Sequence, residues 1–375
     1  MSKGTAVPEG VGIVLRPGAN TSHTEYQVTR FLLRLGSLGW CRSEMLDTPT
    51  GPVLRLRLRT SLVAKFVPGF DTLSLRQRLL KSMARQDEQV LMREVWVAML
   101  CAPVRMDFAD LDELAAHLRI RCNIARAAEK TALAFKTHAA ERPADFWHDE
   151  PHEGFLLKPE VCLVDALIAA TQPERTGRLY DFSCYRATEY VVLLGLAQEA
   201  RTTAPDWYAR LEQIARKKCI KSALFHEVFL TEYGTTDAPI PMHYYVPGDR
   251  VWFKNPDPHS SNAPGYEGSW VIYLGGGRFS NFWKRDAPYS IETKSIEVYH
   301  WRHGAYIDAD AGMQMNEQSV DAEVARTCGD PVKRQKVLKR MARYRDPMGI
   351  YADGGCMDAS REFPRQLCQI QLPPT

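Results

Sequence analysis

"GRLYDFSCYRATEYVVLLGL", residues 177–196, passes from a polar loop into an apolar helix, and Cys184 stands at the passage. Between Cys184 and Ala200 only Gly195 weakens a continuous helical run. A helix N-terminus carries unpaired N–H groups and partial positive charge, which stabilise a thiolate and raise its nucleophilicity near neutral pH. Arg186, two residues on, adds to that field. The same position also suits a small hydrophobe, since free cysteines are among the most buried residues. Ser183 suits an N-cap.

Working outward, "ERPADFWHDEPHEGFLLKPEV" (141–161) reads as a loop, "LVDALIAAT" as a short helix and "QPERTG" as a turn. A second helix is expected from about Asp206 to His226. Residues 244–300 then change character: "YYVPGDRVWFKNP", "SWVIYLGGGRFSNFW" and "SIEVYHW" are strand-like and separated by Gly- and Pro-rich turns, with a hairpin at "YLGGGRF". This order of loop, cysteine, apolar helix and antiparallel sheet is that of papain-like thiol enzymes, where the sheet brings the base to the nucleophile.

Further out, residues 72–140 place apolar side chains at helical spacing, with Asp110 capping the last helix and Glu113 three residues on. "VLRLRLRT" (53–60) sets Leu54, Leu56 and Leu58 against Arg55, Arg57 and Arg59, the period of a strand with one arginine face. "EYQVTRFLLRLGSLGW" (25–40) fits a short helix, and the first 20 residues show no periodicity. "DPVKRQKVLKRMARYRDP" (330–347) is a basic amphipathic helix started by Asp330 and Pro331.

Composition narrows the function classes. The chain has 375 residues, 45% hydrophobic and 25% charged, with a net charge of +3, too near neutral to argue for nucleic acid or a membrane surface. No stretch approaches the roughly 20 apolar residues of a membrane helix. "MSKGTAVPEG" lacks the apolar run of a secretory signal. Nine irregularly spaced cysteines without a CxxC pair read as reduced thiols, not a disulfide framework or a zinc site. The default expectation is cytoplasmic, with a signal-less secretion route equally compatible.

Three separated segments resemble the bacterial spore-coat transglutaminase (protein-glutamine gamma-glutamyltransferase) family: "RCN" (121–123) followed by "FW" and "EGFLLKPEV"; "GRLYDFSCYRAT"; and "VPGDRVWFKNPDP…YEGSWVIYLGGGRF". The match runs in order over about 120–305. It implies an α+β, papain-like core, with the nucleophile helix packed on an antiparallel sheet. Cys184 would attack a glutamine carboxamide, releasing ammonia and leaving a thioester. A lysine amine would then resolve it to an isopeptide bond, or water to glutamate, with no metal or cofactor.

This chain departs from the family where acid–base chemistry is expected. Ser183 replaces a glutamate before the cysteine, Ser269 replaces the partner glutamate, and Asn281 falls near a family histidine, so all three positions are neutral. Glu267, two residues before Ser269, would share its face if the strand began that early; Asp181, His243 and His259 are other substitutes, each equally readable as a solvated loop residue. Trp270 and Trp283 are the aromatic residues expected to wall a substrate groove.

These readings divide the chain into a mostly helical N-terminal region (1–115, short strands then helices), a transglutaminase-like core (116–305) and a C-terminal helical extension and tail (306–375). The expected activity is thiol-dependent acyl transfer on protein substrates, a glutamine donor and a lysine or amine acceptor. The alternative is a catalytically degenerate core acting as a binding or scaffold module.

Overall fold

The computed structural model describes residues 10–16, 21–82, 89–135, 140–219, 222–309, 312–346 and 354–374; residues 1–9 and the expected helix end at 347 lie outside these. It mixes helices and sheets around three apolar clusters.

The helix beginning at the thiol spans Cys184–Thr203 and is enclosed on most sides. It crosses Leu111–Lys130, whose N-cap Asp110 accepts from the Glu113 N–H at 2.8 Å, as the sequence predicts. The two backbones approach closely at Gly195: a Cβ there would sit 2.4 Å from Ile124 Cγ1 and 2.8 Å from its backbone nitrogen. Leu163–Thr171 is the expected short helix and also packs on the Cys184 helix. The second expected helix is two, Pro205–Lys217 and Ser222–Phe229.

A five-stranded sheet lies against the Cys184 helix, in the order Arg278–Phe279, Gly268–Gly275, Arg250–Lys254, Arg361–Pro364, Leu230–Tyr233. Its pairings are antiparallel, with Ser269 opposite Phe253 and Trp270 opposite Trp252. The expected hairpin at 273–279 is present. Its fourth strand comes from the far C-terminus, so the region after 305 is not only helical: it returns to lie between two strands of the sheet.

Three further elements differ from the expectations. "SIEVYHW" is not a strand; it belongs to the helix Ile291–Gly304, which a Ser290–Thr293 capping box starts. Its Ile, Val and aromatic residues mimic a strand, but Ile291, Lys294, Val298 and Trp301 recur at helical spacing and all are buried. The "loop" at 141–161 contains a hairpin, Trp147–Glu150 with Gly154–Leu157. Near the N-terminus, Ile13–Leu15 is a buried strand within the first 20 residues, and Met106–Phe108 interrupts the expected helices of 72–140.

Those two strands join a four-stranded sheet with Cys41–Thr48 and Gly51–Leu58. Leu54, Leu56 and Leu58 are buried, and Arg55 and Arg57 meet Glu44 at 2.8 and 3.4 Å. The N-terminal region is therefore sheet as well as helix. The basic helix is Pro331–Met341, capped by Asp330. Among the described residues no helix is long and apolar enough to cross a membrane.

Candidate active site

Cys184 opens its helix at a polar N-cap. Ser183 Oγ accepts the Arg186 N–H at 3.3 Å, so the serine in the family's glutamate position is a capping group. The cysteine lines a cavity of about 330 Å³ together with Gly268, Ser269, Asn281, Trp283 and Lys294, among others. That volume suits a side chain or small ligand. A larger hollow, about 920 Å³, lies between Thr21–Arg34 and Leu111–Lys130, but Cys184 does not face it.

Two effects compete at the thiol. Backbone N–H groups of Trp270 and Tyr185 donate to the sulfur, and Lys294 and Arg250 add positive charge; each favours the thiolate. Burial disfavours it and is the larger influence, so the thiol lies above its ordinary range. This corrects the expectation of a lowered pKa from helix position alone. The helix N-terminus is present, but the packing around the sulfur costs the charged form more than these donors and charges return.

The structure brings together Cys184, Ser269, Asn281 and Trp283 around the cavity. Ser269 is 6% exposed and sits in register opposite Phe253. Asn281 is held at both ends of its amide: Nδ2 donates to the Ala287 carbonyl at 2.9 Å, and Oδ1 accepts the Lys284 N–H at 3.1 Å. It braces the 281–287 loop. Trp283 packs on Phe135, ring centres 5.0 Å apart, and forms an aromatic wall.

Glu267 is not among them. The strand begins at Gly268, so Glu267 lies in the preceding bend, exposed, with its carboxylate 3.4 Å from the Gly265 N–H. The premise that it shares a strand face with Ser269 therefore fails. The Trp270 ring also lies away from the cavity. Arg250 stacks on it at 3.8 Å, with Trp252 and Tyr185 beside it; what Trp270 offers the thiol is its backbone N–H. Asp181 is buried beside Ala134, and His243 and His259 are exposed; none of the three lines the cavity.

The motifs that carried the resemblance do structural work. Arg121 of "RCN" donates to Asp249 of "PGD" at 2.7 Å, both fully buried, and Tyr233 Oη and the Val246 N–H complete the carboxylate's contacts. Gly248 has φ +90° and lies so near Arg121 that a Cβ would stand 2.9 Å from its carbonyl oxygen. In "KNPDP", Asn255 bonds Ser260, Tyr266 and Asp257, tying together the loop that leads to Ser269.

Three cavity residues, Tyr289, Lys294 and Glu297, escape the sequence reading because they lie in or just before the segment misread as a strand. Lys294 is 1% exposed, and its Nζ lies 2.9 Å from Glu297 Oε1 and 4.1 Å from the Tyr289 ring centre. Tyr289 also bonds Glu297, and burial, with the charge of that carboxylate added, holds the phenol far above its ordinary range. The signal was available: a lysine at a core-facing position of a helical pattern. Around them stand Tyr266, Trp301, Glu317 and Asp321, with Tyr266 Oη 2.8 Å from Glu317 and Lys284 2.8 Å from Asp321. Among the described residues no group of three or more His, Cys, Asp or Glu is arranged to hold a metal, and all nine cysteines are free.

The family model described as protein-glutamine gamma-glutamyltransferase matches residues 73–351. A protein-glutamine gamma-glutamyltransferase of Halalkalibacterium halodurans is 25% identical over 197 residues, covering 50% of this chain and 62% of that protein, so the chain spans less than two thirds of this relative's length. A transglutaminase from Geobacillus stearothermophilus, solved without its C-terminal extension, aligns with a TM-score of 0.39 and 16% identity, over 70% of this chain and all of that one.

Proposed function

This chain belongs to the protein-glutamine gamma-glutamyltransferase family, and from that premise we propose that it transfers the acyl group of a protein glutamine through a thioester on Cys184. The observation that carries the reading is the position of that thiol. It begins a buried helix, faces a cavity of about 330 Å³, and receives two backbone N–H groups. The helix and the antiparallel sheet behind it support a papain-like arrangement, in which the thiol is fixed by a helix and its surroundings by strands.

The reaction balances within the site. Sγ attacks the carboxamide carbon, the C–N bond breaks, ammonia leaves with the thiol's proton, and a thioester remains. An amine then attacks and restores the thiol, or water does so and leaves glutamate. The aromatic wall of Phe135, Tyr266, Trp283 and Trp301 limits water at the thioester and so favours an amine acceptor.

A second reading has its own support. The resting thiol is raised by burial, and Ser269 and Asn281 are neutral, as in a degenerate core retained for binding. One experiment separates the two. Wild-type protein and Cys184→Ala are incubated with a glutamine peptide, with and without a primary amine, and products are read by mass spectrometry. The transfer reading expects product from wild type alone, with iodoacetamide labelling at Cys184. Labelling of another cysteine while Cys184 stays untouched, or equal product from both proteins, would remove the assignment.

A further inference from the structure

If Cys184 is the nucleophile, its site needs a group that can hold and return a proton, and the serine and asparagine at the two partner positions cannot. The cavity supplies ionisable groups from another wall, the helix Ile291–Gly304. We infer that Lys294, held by Glu297 and Tyr289, is the ionisable partner of Cys184 in place of the neutral Ser269 and Asn281; this rests on the transfer reading above.

Four observations meet here. Lys294 and Cys184 line the same cavity. The lysine is 1% exposed, a costly place for an ammonium unless it is paired, and its pairing partner Glu297 also faces that cavity. The pair is fixed by position: Lys294 and Glu297 are neighbours on one helix face, and the Tyr289 hydroxyl bonds the carboxylate from the other side. Lys294 also adds charge that favours the thiolate.

The chemistry follows. As the Sγ–C bond forms, the thiol's proton passes to the Glu297 carboxylate, the Lys294 ammonium gives its proton to the departing nitrogen, which leaves as ammonia, and the proton on Glu297 then restores the ammonium. The pair returns to its starting charge. Deacylation by an amine runs the transfer in reverse. A lysine can lend a proton as an arginine cannot, and both can balance a thiolate. Tyr289 is a positioning residue for the pair.

The test uses the full chain and Lys294→Met, Lys294→Arg and Glu297→Gln, with folding checked by circular dichroism and thermal melting. Two quantities are read: iodoacetamide alkylation of Cys184 against pH, and ammonia release from a glutamine peptide. Removing a neighbouring cation raises a thiol's pKa, so Lys294→Met moves the alkylation midpoint to higher pH and slows alkylation at a fixed lower pH about tenfold or more. Ammonia release falls by roughly 10²–10⁴-fold, the range of a lost proton-transfer group. Lys294→Arg keeps the alkylation profile near wild type but not ammonia release. Glu297→Gln displaces the optimum of the pH–rate profile. An alkylation midpoint unmoved in folded Lys294→Met, or full activity in Lys294→Arg, overturns the inference. Ammonia release that persists in Cys184→Ala overturns the transfer reading instead, while the alkylation midpoint still tests the pairing of lysine and thiol.

Discussion

Trp283 both packs against its neighbours and lines the cavity. It rests on Phe135 at 5.0 Å and Phe282 at 6.2 Å, yet it also lines the cavity with Cys184. On the proposed reading, shortening it removes part of the wall between a Cys184 thioester and water. Trp283→Ala is expected to lower cross-linking while deamidation of the same peptide persists or rises, because water competes better with the amine. Mass spectrometry of a glutamine peptide with and without a lysine donor reads the ratio. Equal loss of both products would make Trp283 a binding or folding residue only. At this scale the sequence located Cys184, Ser269, Asn281 and Trp283 near one cavity. It misplaced Glu267 and the Trp270 ring, because one bend before Gly268 ends the strand alternation that the reading assumed.

Among elements, the crossing of Cys184–Thr203 with Leu111–Lys130 sets where the thiol sits. Gly195 is poor helix material, and alanine there would ordinarily help by up to about 1 kcal/mol. Here the added Cβ would stand 2.8 Å from the Ile124 backbone nitrogen as well as 2.4 Å from its side chain, so a rotamer change cannot relieve it. Overpacking of this kind costs about 1–3 kcal/mol, which outweighs the propensity gain. Gly195→Ala is therefore expected to lower the urea midpoint, and a raised midpoint would show that the helices separate freely. The sequence identified this helix because its apolar run is long. It lost the helix Ile291–Gly304 because Ile296, Val298 and the neighbouring aromatic residues imitate strand alternation. The Ser290–Thr293 cap was the contrary signal, and missing it hid Lys294 and Glu297.

On the scale of the whole molecule, the C-terminus completes the sheet. Strand Arg361–Pro364 lies between Arg250–Lys254 and Leu230–Tyr233, and brings Glu362 to Arg250, which is 1% exposed. That guanidinium also bonds Thr188 on the Cys184 helix at 2.8 Å and covers the Trp270 ring at 3.8 Å. One buried charge thus ties the Cys184 helix, the central strands and the strand Arg361–Pro364. Glu362→Ala leaves Arg250 without this carboxylate in a closed site, and a buried pair broken on one side costs about 3–5 kcal/mol. Chemical denaturation is expected to show that loss, with activity falling at temperatures where the wild type is stable. A variant of unchanged midpoint would show that the pairing of Arg250 with Glu362 adds nothing to stability.

The sequence by itself determined the helix that presents Cys184, the hairpin at 273–279 and the family, because these depend on periodicity, turn chemistry and short motifs written within a few residues of one another. Only the tertiary structure decided what surrounds the thiol. Burial raises its pKa above what a helix N-terminus alone would give, since desolvation depends on every element that closes the cavity. Glu317, Val320 and Asp321, from beyond the motifs legible at 120–305, help to form that cavity, and a strand from residues 361–364 joins the sheet that carries Ser269. Such contacts join residues over a hundred positions apart, as Arg121 joins Asp249 and Arg250 joins Glu362. No local pattern records them, because their energy comes from packing and charge compensation that exist only once the chain has closed on itself.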